Sequence, residues 1–405
     1  MGMEKVAWSG TTIVPETSIN TTADWYNYSE NRWANAINDE SYFVWVPRYA
    51  YKIIYFDNNT NLNAYLADNS STTGIIGYYT KDGKINASEN QIIIPTEAGI
   101  KAPKTAGYTD YIVHPAFEDN VDLGGWDSEL GGLWVAKYEM SMETSGVATN
   151  PTDSTAGNIA TNATVKAVSK PGVESWRYIN IANCYENSFN YDRAKESHLM
   201  KNSEWGAVAY LAHSKYGRNG VAISSNNVSS CITGGSTTES TVYGTNANMS
   251  TTGNAYGIYD LSGCAYEYVA GYNNEYSQTG DYFGGAGGNS DVTYKPEIGS
   301  HFAYSKYPNG DKYVTAYSND SSTVENATSI TDFNTGRNVS ITGDGIKEVW
   351  KSGTTGWFSD YSNFVYSNRP FIVRGRFRWS KFECWCVLCG RSHPVIATPV
   401  SVSVW

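Results

Sequence analysis

Positive charge is in short supply in this chain: 29 lysines and arginines stand against 40 aspartates and glutamates, a formal net charge of −11 at pH 7. An acidic surface repels a nucleic-acid backbone or an anionic membrane, and no basic stripe offsets it, so nucleic acid is not expected as a partner. Long apolar runs are lacking as well. Nothing approaches the ~18 consecutive apolar residues of a membrane span, and Met1-Gly-Met-Glu-Lys-Val-Ala-Trp8 is not a basic-then-apolar leader. Membrane insertion is therefore not expected. Cysteine is sparse: Cys184, Cys231, Cys264, Cys384, Cys386 and Cys389 are too few and too uneven for a disulfide framework in 405 residues. They leave the cellular compartment open.

Candidate catalytic groups are equally thin. No Ser-His-Asp arrangement, glycine-rich phosphate loop or paired-carboxylate motif is present, so no catalytic residue is assigned. Among 5 histidines, His114 before Pro115 and His213 late in a helix read as packing or capping residues. Cys386 and Cys389 with His393 offer three soft ligands, but a structural zinc site needs four, and no second pair exists. No metal ligand is assigned.

What the chain has in quantity is tyrosine (32), glycine (38) and tryptophan (13), with Asn, Ser and Thr filling the gaps between apolar runs. That usage suits short strands joined by long ordered loops. Residues 1–36 read as a polar lead-in or attachment segment. A first strand is expected from Tyr42 to Phe56, with Pro47 marking an edge or bulge, and a second from Gly132 to Glu139. Residues 144–170 read as a surface loop. Val173, Trp176, Ile179 and Ala182 recur at helical spacing up to about Asn187, and Trp205, Val208, Ala209 and Ala212 mark a clearer helix. Ser203 is its expected cap, Glu204 lies in its first turn, and Lys215 and Gly217 end it. Strands are also expected at Asn363–Tyr366 and Pro370–Arg374.

One stretch organises the rest: Asn254-Ala-Tyr-Gly-Ile-Tyr-Asp-Leu-Ser-Gly-Cys-Ala-Tyr-Glu-Tyr-Val-Ala-Gly271. Gly257 and Gly263 are expected to take positive φ around a tight Asp260–Gly263 turn, with Ile258, Leu261, Tyr266, Tyr268 and Val269 supplying apolar surface. This string resembles the Gly-Leu-Tyr-Asp-Met-Ser-Gly-Asn-Val-Trp-Glu-Trp signature of the formylglycine-generating, sulfatase-modifying branch of the C-type lectin fold. Tyr266 and Tyr268 stand where that family has Trp, and Cys264 where it has Asn. Four further motifs follow the family order: Phe43-Val-Trp-Val-Pro47, Trp134-Val-Ala-Lys-Tyr-Glu139, Leu199-Met-Lys-Asn-Ser-Glu-Trp205 and Val373-Arg374-Gly375. The likeness covers roughly residues 42–376. Trp45 to Tyr49 and Glu204 to Leu211 look nearest to phage, prophage and gut bacterial surface proteins, a group that includes the variable proteins of diversity-generating retroelements.

The resemblance implies an α+β, C-type lectin-like (formylglycine-generating-enzyme-like) fold of short mixed or antiparallel strands, two helices and long ordered loops. That domain would run over residues 37–405, with insertions at about 57–110, 218–253 and 272–345. It further implies an extracellular binding protein on a phage virion or bacterial surface, recognising a protein or glycan receptor. No cofactor is implied, apart from calcium beside Glu267. The alternative implied by the same family is a copper-dependent oxidase built on Cys384 and Cys389, but these begin ten residues after Arg374 and lack the family's surroundings.

The segment Arg374 to Cys389 departs from the family, whose members read Arg-Gly-Gly and end in a Gly-Phe-Arg strand. Here Arg376 replaces the second glycine. Reading the codons for Glu383 to Leu388 one base later permits Asn-Ala-Gly-Val-Phe, so a shifted frame is one expectation for this tail. As written, Arg376, Phe377, Arg378, Trp379, Lys381, Phe382, Glu383 and Trp385 form the candidate ligand-binding set. Aromatics alternating with charges supply large contact area at small entropic cost, which is the physics of paratopes.

Overall fold

The computed structural model describes residues 3–9, 12–14, 18–19, 25–51, 92–93, 112–179, 181–214, 216–218, 223, 225–226, 231–235, 247–273, 312–317, 343, 371–375, 384–386 and 388–391. Strands β1 Glu4–Ser9, β2 Thr12–Val14, β3 Asn35–Asn38, β4 Ser41–Pro47 and β5 Ala50–Tyr51 come first. They are followed by β6 Ile92–Ile93, β7 Ile112–Val113, β8 Gly132–Ala136, β9 Ser141–Thr144, β10 Val147–Thr149 and β11 Val165–Val168. The second half holds β12 His198–Leu199, β13 Tyr266–Asn273, β14 Thr315–Tyr317, β15 Phe371–Arg374, β16 Cys384–Cys386 and β17 Leu388–Arg391. Two longer helices, α1 Ile181–Asn190 and α2 Asn202–His213, lie between β11 and β13. Few helices and mainly antiparallel sheets agree with an α+β class.

Seven strands form the main sheet in the order β12-β17-β8-β4-β3-β1-β2. Its centre is β4 against β8, where Val44 pairs with Val135 and Val46 with Leu133. All four side chains are fully buried, and Phe43 and Ala136 beside them are buried as well, so both strands are covered on both faces over most of their length. β-Branched side chains on facing strands pack without losing much rotamer freedom, so this pair forms the floor of the core. The expected lead-in is part of this sheet: β1 pairs with β3 and β2 with β1, while Trp25 and Trp33 are buried.

Helix α2 is buried on every side, from Trp205 through Ala207, Val208, Ala209, Tyr210 and Leu211 to Ala212. Each large side chain so buried is worth ~1.5–3 kcal/mol. Tyr49, next to β4, ties the helix to the main sheet by donating its hydroxyl to Ala207 O at 2.6 Å. The helix begins earlier than its sequence suggests. Lys201 is the capping residue, and Glu204 accepts the Lys201 N–H at 2.8 Å. Ser203 instead donates its hydroxyl to Gly124 O.

Other expectations are corrected. Residues 144–170 are not one surface loop: β10, β11 and a single helical turn at Ser154–Gly157 occupy them. Val165, Ala167 and Val168 are buried while Lys166 is exposed, a strand alternation hidden among Thr and Asn. The helix expected from Val173 starts only at Ile181. Val173, Trp176 and Ile179 are buried all the same, because Ser175 N–H bonds to Cys231 O and Trp176 N–H to Met140 O, holding the chain between neighbouring segments. Spacing of three is also compatible with such a path. Cys184 in α1 is disulfide-bonded, although the cysteine pattern alone suggests no framework. The expected strand end beyond Tyr51 and the Asn363–Tyr366 strand lie outside the described residues.

The second sheet is built on β13, with β14 and β15 on either side in the order β14-β13-β15 and β16 also paired to β13. Helix α1 packs against β12 and β16, and α2 against β13, so the helices join the two sheets. No helix among the described residues is long and apolar enough to cross a membrane.

Candidate functional site

The stretch from Asn254 to Gly271 packs where the two sheets approach. Ile258, Leu261, Tyr268 and Val269 are buried, as the sequence suggests. Its two glycines serve different ends. Gly263 has φ 97°, a left-handed conformation that favours glycine. Gly257 has no positive φ and is needed for space: a Cβ there would fall 1.6 Å from Thr252 Oγ1.

Consecutive residues after β8 dock onto this stretch. Lys137 is fully buried and its ammonium donates to Asn35 Oδ1 at 2.9 Å, Ala255 O at 2.9 Å and Gly257 O at 2.8 Å. Burial pulls its pKa well below the ordinary lysine value. Tyr138 packs on Tyr259, ring centroids 5.2 Å apart. Glu139 enters a buried carboxyl group with Asp260 and Glu267, all at most 1% exposed.

These acids are held unequally. Asp260 accepts the Gly234 N–H on both oxygens, at 3.0 and 2.9 Å, and the Asn226 amide at 2.9 Å. Burial still raises it to about 6, partly offset by those donors. Burial, then Glu267 and Asp260, push Glu139 well above the usual carboxylate range. The Ser175 hydroxyl faces Glu139 but gives its proton to Cys231 O at 2.9 Å, and neither Glu139 oxygen has a properly directed partner among the described residues.

A group whose folded pKa is raised contributes stability below its unfolded value, and that contribution is lost as pH rises through the folded pKa. Glu139→Gln removes this loss. In urea unfolding the variant should match wild type near pH 4, below the ordinary glutamate value, and exceed it near pH 9 by more than about 1 kcal/mol, since each tenfold weakening of an acid on folding corresponds to about 1.4 kcal/mol. A constant difference across that range would mean that Glu139 titrates normally. Comparing the two proteins cancels the opposing effect of His114, whose burial lowers it to about 3.

The backbone here is strained. Asp260, Cys231 and Cys264 all have positive φ, at 68°, 49° and 57°. Asn226 ties them together: its N–H bonds to Ser262 O at 2.8 Å, and its carbonyl accepts the Cys264 N–H at 2.7 Å. The sequence offered only a weak signal for this side of the site, the paired glycines Gly234 and Gly235 after Cys231.

The start of β13 also anchors the C-terminal segment. Glu267 pairs with Arg374 of antiparallel β15 on one side and with Trp385 of parallel β16 on the other. The end of β15 and the beginning of β16 therefore flank the same end of β13. Arg374 fixes the first of these, donating to Asn202 Oδ1 from Nε at 2.9 Å and Nη2 at 2.7 Å, with its guanidinium 4.1 Å above the Trp205 ring. Arg376, Phe377, Arg378, Trp379, Lys381, Phe382 and Glu383 lie outside the described residues, and of Trp385 only the backbone is described. His114 behaves as expected, capping the turn Pro115–Phe117 by accepting the Ala116 N–H.

Among the described residues, one set of three acidic side chains brings ligand atoms together: Glu118, Asp119 and Glu129. Arg48 explains it without an ion, since its guanidinium bridges Glu118 and lies 3.9 Å from Glu129. In comparisons with known proteins, no family model matches this sequence and no curated protein matches it.

Proposed function

We propose that this chain is a receptor-binding protein of a phage or bacterial surface, built on a C-type lectin-like scaffold of the formylglycine-generating branch. It presents residues 376–385 to a protein or glycan ligand. The observation that carries this reading is the stem. Arg374 and Cys384 hold the two ends of that segment against one end of a buried strand, and Arg374 is fixed by Asn202 and Trp205. A connection rich in Arg, Trp and Phe between two fixed ends can present side chains without ordering the scaffold anew, which lowers the entropic cost of binding. The docking of Lys137, Tyr138 and Glu139 on the organising stretch gives the resembling motifs a shared structural purpose. The oxidase alternative rests on Cys384 and Cys389, whose backbones pair in different sheets, β16 on β13 and β17 between β12 and β8. Calcium beside Glu267 would face the three buried carboxyls.

The test replaces Arg376, Arg378 and Trp379 together with serine, with Trp385→Ser made separately. Labelled protein is applied to a glycan array and to intact bacterial cells. Wild-type binding that the triple variant loses, at an unchanged melting temperature, supports the display surface. A triple variant that still binds, or that melts several degrees lower, moves the ligand site to residues 218–253 and 272–345. Solvent-facing replacements change stability by ~0.5 kcal/mol or less, whereas core aromatics cost several times more.

A further inference from the structure

Receptor binding leaves the thiols beside β13 without a role. Cys231 and Cys264 are both outside any disulfide, and burial, then the neighbouring Cys231, raises the Cys264 thiol. Two side chains brace the pair. Ser175 Oγ donates to Cys231 O at 2.9 Å and lies 3.7 Å from Cys264 Sγ. Asn226 Nδ2 donates to Ile232 O at 2.8 Å, next to Cys231, and reaches Cys264 Sγ at 3.5 Å. Both cysteines adopt left-handed backbone, which side chains other than glycine's rarely do. Such strain persists only where surrounding bonds over-determine it, and it clusters at functional sites. Access to the two sulfurs differs: Cys231 is half-buried, and Cys264 is buried.

We propose that Cys231 and Cys264 form a thiol–disulfide exchange site whose substrate is a low-molecular-weight disulfide of the glutathione class. Cys231, having lost its proton to water, attacks one sulfur of the small disulfide. That S–S bond breaks, and the leaving thiolate takes up a proton. Cys264 then attacks Cys231 Sγ and expels the second small thiolate, to which its own proton passes. One Cys231–Cys264 bond and two small thiols result, so oxidation of the pair is matched by reduction of the small disulfide. The order follows from access, because the half-buried cysteine is the one a soluble disulfide can reach. Burial raises the Cys264 thiol, which suits a sulfur that acts only after the first has been modified. The bond would clasp residues 231–235 to the Asp260–Cys264 turn. This site does not depend on the display surface, and its test does not involve the receptor.

The full chain is reduced, freed of reductant and exposed to oxidised glutathione at neutral pH, then read by intact mass and non-reducing peptide mapping. Wild type should yield a peptide linking Cys231 to Cys264. Cys264→Ser should instead accumulate a stable glutathione adduct at Cys231, and Cys231→Ser should leave Cys264 unmodified. Because a variant at buried Cys264 risks misfolding, closure of the wild-type pair is also timed in native buffer and in urea. Native closure should be faster by about tenfold or more, the gain from pre-positioned sulfurs. Native protein that keeps both thiols under conditions that oxidise the unfolded chain overturns the proposal, as does linkage of Cys231 to some other cysteine.

Discussion

Lys137→Met should destabilise the fold by about 3 kcal/mol or more, since a buried acceptor left without its donor costs ~1–3 kcal/mol. Methionine keeps nearly the length and volume of lysine, so the cost is one of hydrogen bonds and not of a cavity. Asn35 Oδ1, Ala255 O and Gly257 O would all lose the same donor. Burial penalises the ammonium as well, which is why its pKa is depressed, and methionine is spared that penalty. The lost bonds outweigh this gain because the three acceptors belong to segments far apart in sequence, β3 and the organising stretch, and the Tyr259 N–H bond to Lys137 O, which the variant keeps, satisfies none of them. Equilibrium urea unfolding measures the difference. A cost below about 1 kcal/mol would mean that water replaces the ammonium, and that Lys137 does not hold the organising stretch in place.

Trp205→Ala should cost about 3–5 kcal/mol, as large aromatic truncations in cores do. Trp205 is fully buried in α2, and its ring lies under the Arg374 guanidinium. Removing the ring leaves a cavity and deprives a nearly buried cation of a favourable face. The loss should therefore reach β15, increasing amide hydrogen exchange at Ile372 to Arg374 beyond the exchange seen in variants of equal stability elsewhere. Trp205→Phe, which retains an aromatic face, should cost markedly less. Equal exchange in the two variants would show that the aromatic face of residue 205 does not hold Arg374.

The elements that carried strong periodicity were legible in the sequence. The apolar, β-forming residues of β4 and β8 and the apolar run of α2 are buried together, and Trp205 is buried where the pattern places it. Cap assignment failed at α2 because Ser203 and Glu204 both favour a helix start, and only the packing against Gly124 decides which role serine takes. Spacing from Val173 to Ala182 mimics a helix because three buried side chains on a chain that weaves between neighbours can fall at the same intervals. The site was half legible. Residues 254–271 stood out by their glycines and aromatics. Cys231, Asn226 and Ser175 did not, since each lies in an ordinary polar segment and gains meaning only from contacts made across the sequence. Asp260 was legible as a turn residue, but not as a carboxyl raised to about 6.

The position of β17 has a consequence for how this chain reaches its fold. It lies between β12 and β8 in the main sheet, although Cys389 and its partner Val135 are separated by more than half the chain. Non-local pairing of this kind slows folding, because the chain entropy of closing a long loop is lost before the ladder forms. During synthesis β8 and β12 emerge long before the strand that separates them, so each presents open backbone donors and acceptors while the ribosome completes the remainder. Such edges invite pairing with other chains. Chaperone demand during translation, and aggregation of chains truncated before residue 388, should therefore be governed by this last strand.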